Sequence, residues 1–225
     1  MKCQTTQNFL RSAAVLWLAA FLSWSGAQIA QARPVSYPGG WTFIEETDGF
    51  QNTGLIHFSP TASYSLGLRV ERRRVEEFIY IGSQINYLAR RWNMENAQAN
   101  IYLSAGGGAA IGDFGGVDTR SEAAGFLKFA GDWETRRWFV SYSARQFLVT
   151  DANDFFTQRA RFGVAPYVAD YNALHTWLMV DIAHRPEAPD EVVVTPLVRF
   201  FKGPALLELG FGTDERVLAN LIYRF

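Results

Sequence analysis

The chain is nearly without cysteine. Its 225 residues include a single thiol, Cys3, and that thiol precedes the apolar run SAAVLWLAAFLSW. Lys2 and Arg11 stand before the run, and Ala30-Gln31-Ala32 follows it. A basic start, a short apolar stretch and an A-x-A site are the marks of a secretory signal peptide, expected over residues 1–32. A lipoprotein cysteine would follow the run, so Cys3 is expected to leave with the leader. The exported part, residues 33–225, then enters an oxidising compartment with no disulfide and no cysteine metal site to hold it.

Long apolar runs are missing too. After Ala32 nothing approaches the roughly 18 consecutive apolar residues of a transmembrane helix, and helical periodicity is poor throughout. No linker or low-complexity tract divides the chain, which reads as one domain. An excess of positive charge is also lacking. The 21 Lys and Arg face 22 Asp and Glu, and the leader removes only basic residues. A mildly acidic chain excludes nucleic acid as the expected partner.

What is present is alternation with a period of two, in blocks of about ten residues. SYSLGLRVE sets Tyr64, Leu66, Leu68 and Val70 against Arg69 and Glu71. RWFVSYSARQFL sets Trp138, Val140, Tyr142 and Leu148 against Phe139 and Arg145. RVLANLIYRF sets Val217, Ala219, Leu221, Tyr223 and Phe225 against Arg216, Asn220 and Arg224. The pattern predicts twelve strands, near 41–47, 53–59, 63–71, 76–90, 98–111, 121–133, 137–148, 156–166, 173–185, 191–202, 205–212 and 216–225. Ten is the alternative count. Connections alternate between a class such as SPTA, WETRR and KGPA and a class such as ETDGFQ, VTDANDF and GTDER, which always carries carboxylates. Trp and Tyr gather at one set of strand ends (Trp41, Tyr87, Trp92, Trp133, Trp138), and Phe50, Phe114, Phe155, Phe156 and Phe211 at the other. Rings at both ends of apolar strands suit two membrane interfaces. The expected fold is all-β, a single closed antiparallel transmembrane barrel, with a soluble secreted sandwich as the alternative.

A leader, an even number of alternating strands and a last strand ending on Tyr223-Arg224-Phe225 resemble the Gram-negative outer-membrane β-barrel proteins. PVSYPGG and RWN…QANIYL are similar to segments of proteobacterial barrels, with no activity attached. The resemblance implies a location in the cell outer membrane among lipid and lipopolysaccharide. It also implies that Tyr223 and Phe225 form the signal read by the barrel-assembly machinery. It does not imply a function, which varies widely on this fold.

The polar phase of the strands carries more cations than anions. Arg69, Lys128, Arg137, Arg145, Arg159, Arg161 and Arg199 are the candidates for a solute path, with Glu71, Asp132, Asp181 and Glu208 on the same phase. A lumen lined by guanidinium groups favours small anionic solutes; the same charges, paired with each other, would make a filled and non-conducting structural or adhesion barrel. Inward Phe78, Tyr80, Phe126, Phe139, Trp177 and Phe201 favour filling, whereas twelve strands enclose more space than the eight that side chains can just fill.

His57, Ser59 and Glu71 resemble the His-x-Ser and distant glutamate of outer-membrane lipid A deacylases, which implies a lipid-modifying enzyme as a further alternative. In that scheme His57 would take the Ser59 proton and Glu71 would orient the imidazole. Ser59-Pro60-Thr61-Ala62 reads as a tight turn, which would put Glu71 about eight residues, roughly 27 Å, up the next strand. Pro60 also stands where the deacylases have asparagine. No catalytic residue is therefore assigned. Gly106, Gly107 and Gly108 predict a bulge or room for a large neighbour. Asp113, Asp118, Asp151, Asp154, Asp190 and Asp214 could hold Ca²⁺ but read as solvated loop carboxylates, so neither a metal nor a cofactor is expected. Arg72, Arg73 and Arg74 suit lipopolysaccharide phosphates or a self-paired loop.

Overall fold

The computed structural model describes residues 33–112, 120–152, 154–170, 172–188 and 191–225. Twelve strands follow one another: β1 (Gly40–Thr47), β2 (Gln51–Ser59), β3 (Tyr64–Arg73), β4 (Phe78–Asn93), β5 (Ala97–Gly112), β6 (Arg120–Thr135), β7 (Trp138–Val149), β8 (Phe155–Val164), β9 (His175–His184), β10 (Val192–Lys202), β11 (Ala205–Phe211) and β12 (Val217–Arg224). Each pairs antiparallel with its neighbours in sequence, and β1 closes the ring against β12. The closing register sets Phe43 opposite Tyr223 and Thr42 opposite Arg224. Beyond it the Trp41 N–H donates to the Phe225 carbonyl at 2.8 Å, and the Phe225 N–H to the Trp41 carbonyl at 3.0 Å. Closure leaves no edge strand, which replaces disulfides as the means of satisfying the outermost backbone groups. It excludes both the sandwich and the count of ten.

The apolar phase faces outward. Leu66, Leu68 and Val70 are exposed, Leu68 to 66%, while Arg69, Glu71 and Arg73 between them are buried inside. A water-soluble barrel would have the opposite polarity; an apolar exterior of this kind is one that a hydrocarbon layer can cover. Trp41, Tyr87, Trp92, Trp133 and Trp138 are exposed on it at one end, as expected of an interfacial belt. The opposite end departs from expectation. Phe211 is exposed there, but Phe50 and Phe155 are buried, and Phe114 lies outside the described residues. The phenylalanine group at that end is therefore divided: Phe50 and Phe155 turn inward, while Phe211 and, by alternation on β8, Phe156 turn outward.

Two local features set which side chains reach the lumen. The β4–β5 register shifts between Leu88 and Arg90. This bulge reverses the alternation, so Arg90 turns out over Trp92, 5.6 Å from its ring centroid, and Arg91 reaches the buried Asn100. At Gly106–Gly108 the ladder is regular and the expected bulge is absent. Room for a neighbour is the reason for glycine there: a Cβ at Gly106 would collide with the Phe126 ring, and one at Gly82 with the Tyr80 hydroxyl.

Residues 33–39 run across the mouth at the belt end, called here the strap end; the other is the loop end. The Ser36 N–H donates to Ser59 Oγ at 2.9 Å, and Ser65 Oγ donates to the Pro34 carbonyl at 2.8 Å. Arg33 pairs with Glu134 of β6 at 2.6 Å.

Candidate functional site

Alternation on β3 places Arg69, Glu71 and Arg73 on one inward face, and Glu71 becomes a hub. Its carboxylate, 0% exposed, accepts from Arg69 Nε at 2.7 Å, Arg73 Nη1 at 2.9 Å and both terminal nitrogens of Arg145 at 2.7 and 2.9 Å. Arg145 comes from β7 and also reaches Gln51 of β2, so this contact bridges the lumen. Aromatic rings seal the hub. Phe78, Tyr80, Phe126, Phe147 and Phe155 form one buried cluster, with Phe147 stacked on Phe155 at 4.8 Å. Arg73 lies 4.0 Å over Phe155, and Arg69 and Arg145 each lie 5.5 Å from Phe126. Guanidinium faces are weakly hydrated and stack on rings, so the cluster desolvates the cations without leaving them unpaired.

A second network runs along β8 to β11. Glu208 accepts from Arg161 at 3.0 Å, Arg199 at 2.6 Å and Asn220 at 2.5 Å. Asp181 binds Arg161 and, at 3.3 Å, Arg159. Arg159 continues to Asp48 at 2.5 Å, and Arg185 joins the same carboxylate at 2.8 Å. Asp48 sits in the β1–β2 connection; burial pushes its carboxyl up, but the Arg159 and Arg185 guanidinium groups outweigh that and hold it below the ordinary value.

Between the networks lies a cavity of about 270 Å³. Arg69, Lys128, Arg145, Arg159, Arg161 and Arg199 all line it, so six of the seven solute-path candidates come together. Arg137 does not. It is exposed in the two-residue turn between β6 and β7 and donates to the Pro166 carbonyl at 3.5 Å, because β6 and β7 run up to the turn and leave it no inward position. Sequence reasoning missed Arg33, Glu46, Asp48 and Arg185. The strap gives no alternation signal, Asp48 lies just outside its strand, Arg185 ends the expected strand 173–185 on its polar phase without being singled out, and Glu46 alternates correctly in a strand that was read for its apolar face.

His57, Ser59 and Glu71 do not assemble. Ser59 Oγ is occupied by the strap, and both His57 ring nitrogens are buried with no partner among the described residues. Glu71 stands opposite Thr53, six positions from Ser59, about 20 Å along the strand. That is nearer than the eight positions expected from a tighter turn, and still far beyond hydrogen-bond reach.

No group of three metal-ligating side chains occurs among the described residues, where Asp151, Asp154 and Asp214 belong to no such cluster. Asp113, Asp118 and Asp190 lie outside them. Of the loop arginines, Arg73 is spoken for by Glu71 and Glu76, while Arg74 holds Asn52 at 2.8 Å.

No family model and no curated protein matches the chain. Among solved structures it is similar to a KdgM porin, with a TM-score of 0.47 and 11% identity over 83% of this chain and 98% of that one.

Proposed function

We infer that the protein is a small outer-membrane channel whose interior favours anions and whose loop end is held shut by ion pairs and rings. The observation that carries this reading is the charge of the cavity: eight Arg and Lys side chains line it against four carboxylates. Charge of one sign at such close quarters sets ion preference. The outward apolar face and the strap-end belt support a bilayer location. Phe225, exposed outward beside Tyr223 with ring centroids 6.1 Å apart, is consistent with a signal read by the assembly machinery. Arg72 and Arg74 at the loop end suit lipopolysaccharide phosphates.

A second reading rests on the Arg145–Glu71 bridge, which crosses the lumen beside the phenylalanine cluster. It makes the barrel a non-conducting structural body. Conductance of the refolded protein in planar bilayers, with ion preference taken from a salt gradient, separates the two. Openings with anion preference support the channel. Silence from a folded, inserted barrel whose Arg145→Ala variant is also silent supports the structural body and sinks the channel.

A further inference from the structure

Two ionisable side chains on the cavity wall stand apart from the rest. Every arginine lining it has a carboxylate partner, Glu134 holds Arg33, and Asp132 accepts from Asn100 at 2.7 Å. The side chains of Lys128 and Glu46 line the same cavity and make no hydrogen bond or ion pair with any described residue. Lys128 stands on β6, between Ser104 of β5 and Arg145 of β7. Glu46 stands on β1, between Thr53 of β2 and Asn220 of β12. In the closed order these strands lie nearly across the barrel from each other.

Both side chains are half-buried and open to the cavity, where a charge with no protein partner is free to pair with one that a solute brings in. Glu46 attracts Lys128, while Arg69, Arg145 and Arg159 repel it. A simple anion seated at Lys128 would leave Glu46 unpaired and would be opposed by it. A simple cation at Glu46 would meet the arginine wall. A solute carrying both charges satisfies both walls at once. Ile44, Leu55, Trp177 and Ile222 supply apolar lining between the charges, and the volume, just below the usual range for drug-sized ligands, suits a small molecule. We propose that the cavity is a binding site for a small zwitterion of amino-acid size, its carboxylate directed to Lys128 and its ammonium to Glu46.

This deepens the channel reading and rests on solute entering the interior, but it is tested without conduction. Full-length exported protein, refolded in detergent micelles, is titrated calorimetrically with glycine, β-alanine and γ-aminobutyrate, zwitterions of growing charge separation. Butyrate and propylamine serve as probes with one charge each. The expected result is binding of at least one zwitterion about tenfold or more tighter than either single-charge probe, the scale of one charge-assisted hydrogen bond. Lys128→Gln and Glu46→Gln should each lower that affinity by a similar factor. Because neither side chain has a partner to lose, both variants should fold, as judged by the shifted mobility of the unheated barrel on a denaturing gel. If butyrate binds as well as the zwitterions and Glu46→Gln strengthens it, the site is a plain anion site and the proposal falls. Absence of binding by all three zwitterions overturns it as well. A bilayer recording that stays silent while the titration succeeds would remove the channel and leave the site.

Discussion

The two ends of the lumen solve the same problem in opposite ways. At the loop end, Glu71 and its three arginines are paired, laminated by rings and buried. At the strap end, Ser36 Oγ, Thr42 Oγ1, both nitrogens of His57, Tyr102 Oη and Arg224 Nε are buried with no partner among the described residues, whereas the loop-end ring cluster leaves Tyr80 Oη so. Buried polar atoms are satisfied by something in nearly every folded protein, and in a polar, roomy mouth that something is water. The loop end is therefore the drier end and the strap end the wetter one. On the channel reading, resistance to passage would reside in the hub and the rings, with the strap covering a hydrated vestibule.

The largest expected effect breaks the drier end. Glu71→Gln leaves three guanidinium groups without their shared carboxylate, and denaturant unfolding in vesicles should show a loss of about 3–5 kcal/mol. Any conductance should rise at the same time, because Arg145 loses its anchor across the lumen. Next comes Phe147→Ala, which opens a hole in the ring cluster. It should cost about 3 kcal/mol in the same assay, with the ion pairs of Glu71 left intact. A smaller change sharpens the contrast at the wetter end. Ser59→Ala removes the acceptor for the Ser36 N–H and should cost about 1 kcal/mol, appearing as faster amide exchange over residues 34–39 with the strands unchanged. If Ser59→Ala destabilised the barrel as much as Glu71→Gln, the division into a drier and a wetter end would be wrong.

The last test varies pH and concerns Asp48. Its carboxyl is held below the ordinary value of 3.8, so the stability it contributes is complete above that value. It is lost only as the pH falls through the lower, folded-state value. An acid titration should therefore show Asp48→Asn and the parent converging only in strong acid, with their difference constant from neutral pH down to the ordinary carboxylate range.

The strands were legible in the sequence because membrane barrels write their fold in a single letter per residue, apolar outward and everything else inward. For β5 the expected 98–111 became Ala97–Gly112. Closure was legible from the last strand, whose inward Asn220 and Arg224 and outward Leu221 and Phe225 appear as expected. Inward direction, however, says nothing about partners. Arg145 and Glu71 meet across the lumen from strands separated by 74 positions, and alternation carries no information on that scale. The one-residue bulge near Leu88 exchanged Arg90 for Arg91 with no glycine or proline to announce it. Phe50 and Phe155 read as interfacial because they sit at strand ends; the arginines inside supplied a competing surface, with Arg185 3.9 Å over Phe50 and Arg73 over Phe155.

The pairing of Trp41 with Phe225 has a consequence for how the barrel comes into being. The first strand made is the last to find both of its neighbours, since β12 is synthesised only at the end. Joining chain segments so far apart in sequence is entropically costly and slow. During that wait β1 and the newest strand each present an open row of amides and carbonyls, able to pair with the wrong chain. The nascent sheet leaves that hazard behind only when those two edges meet.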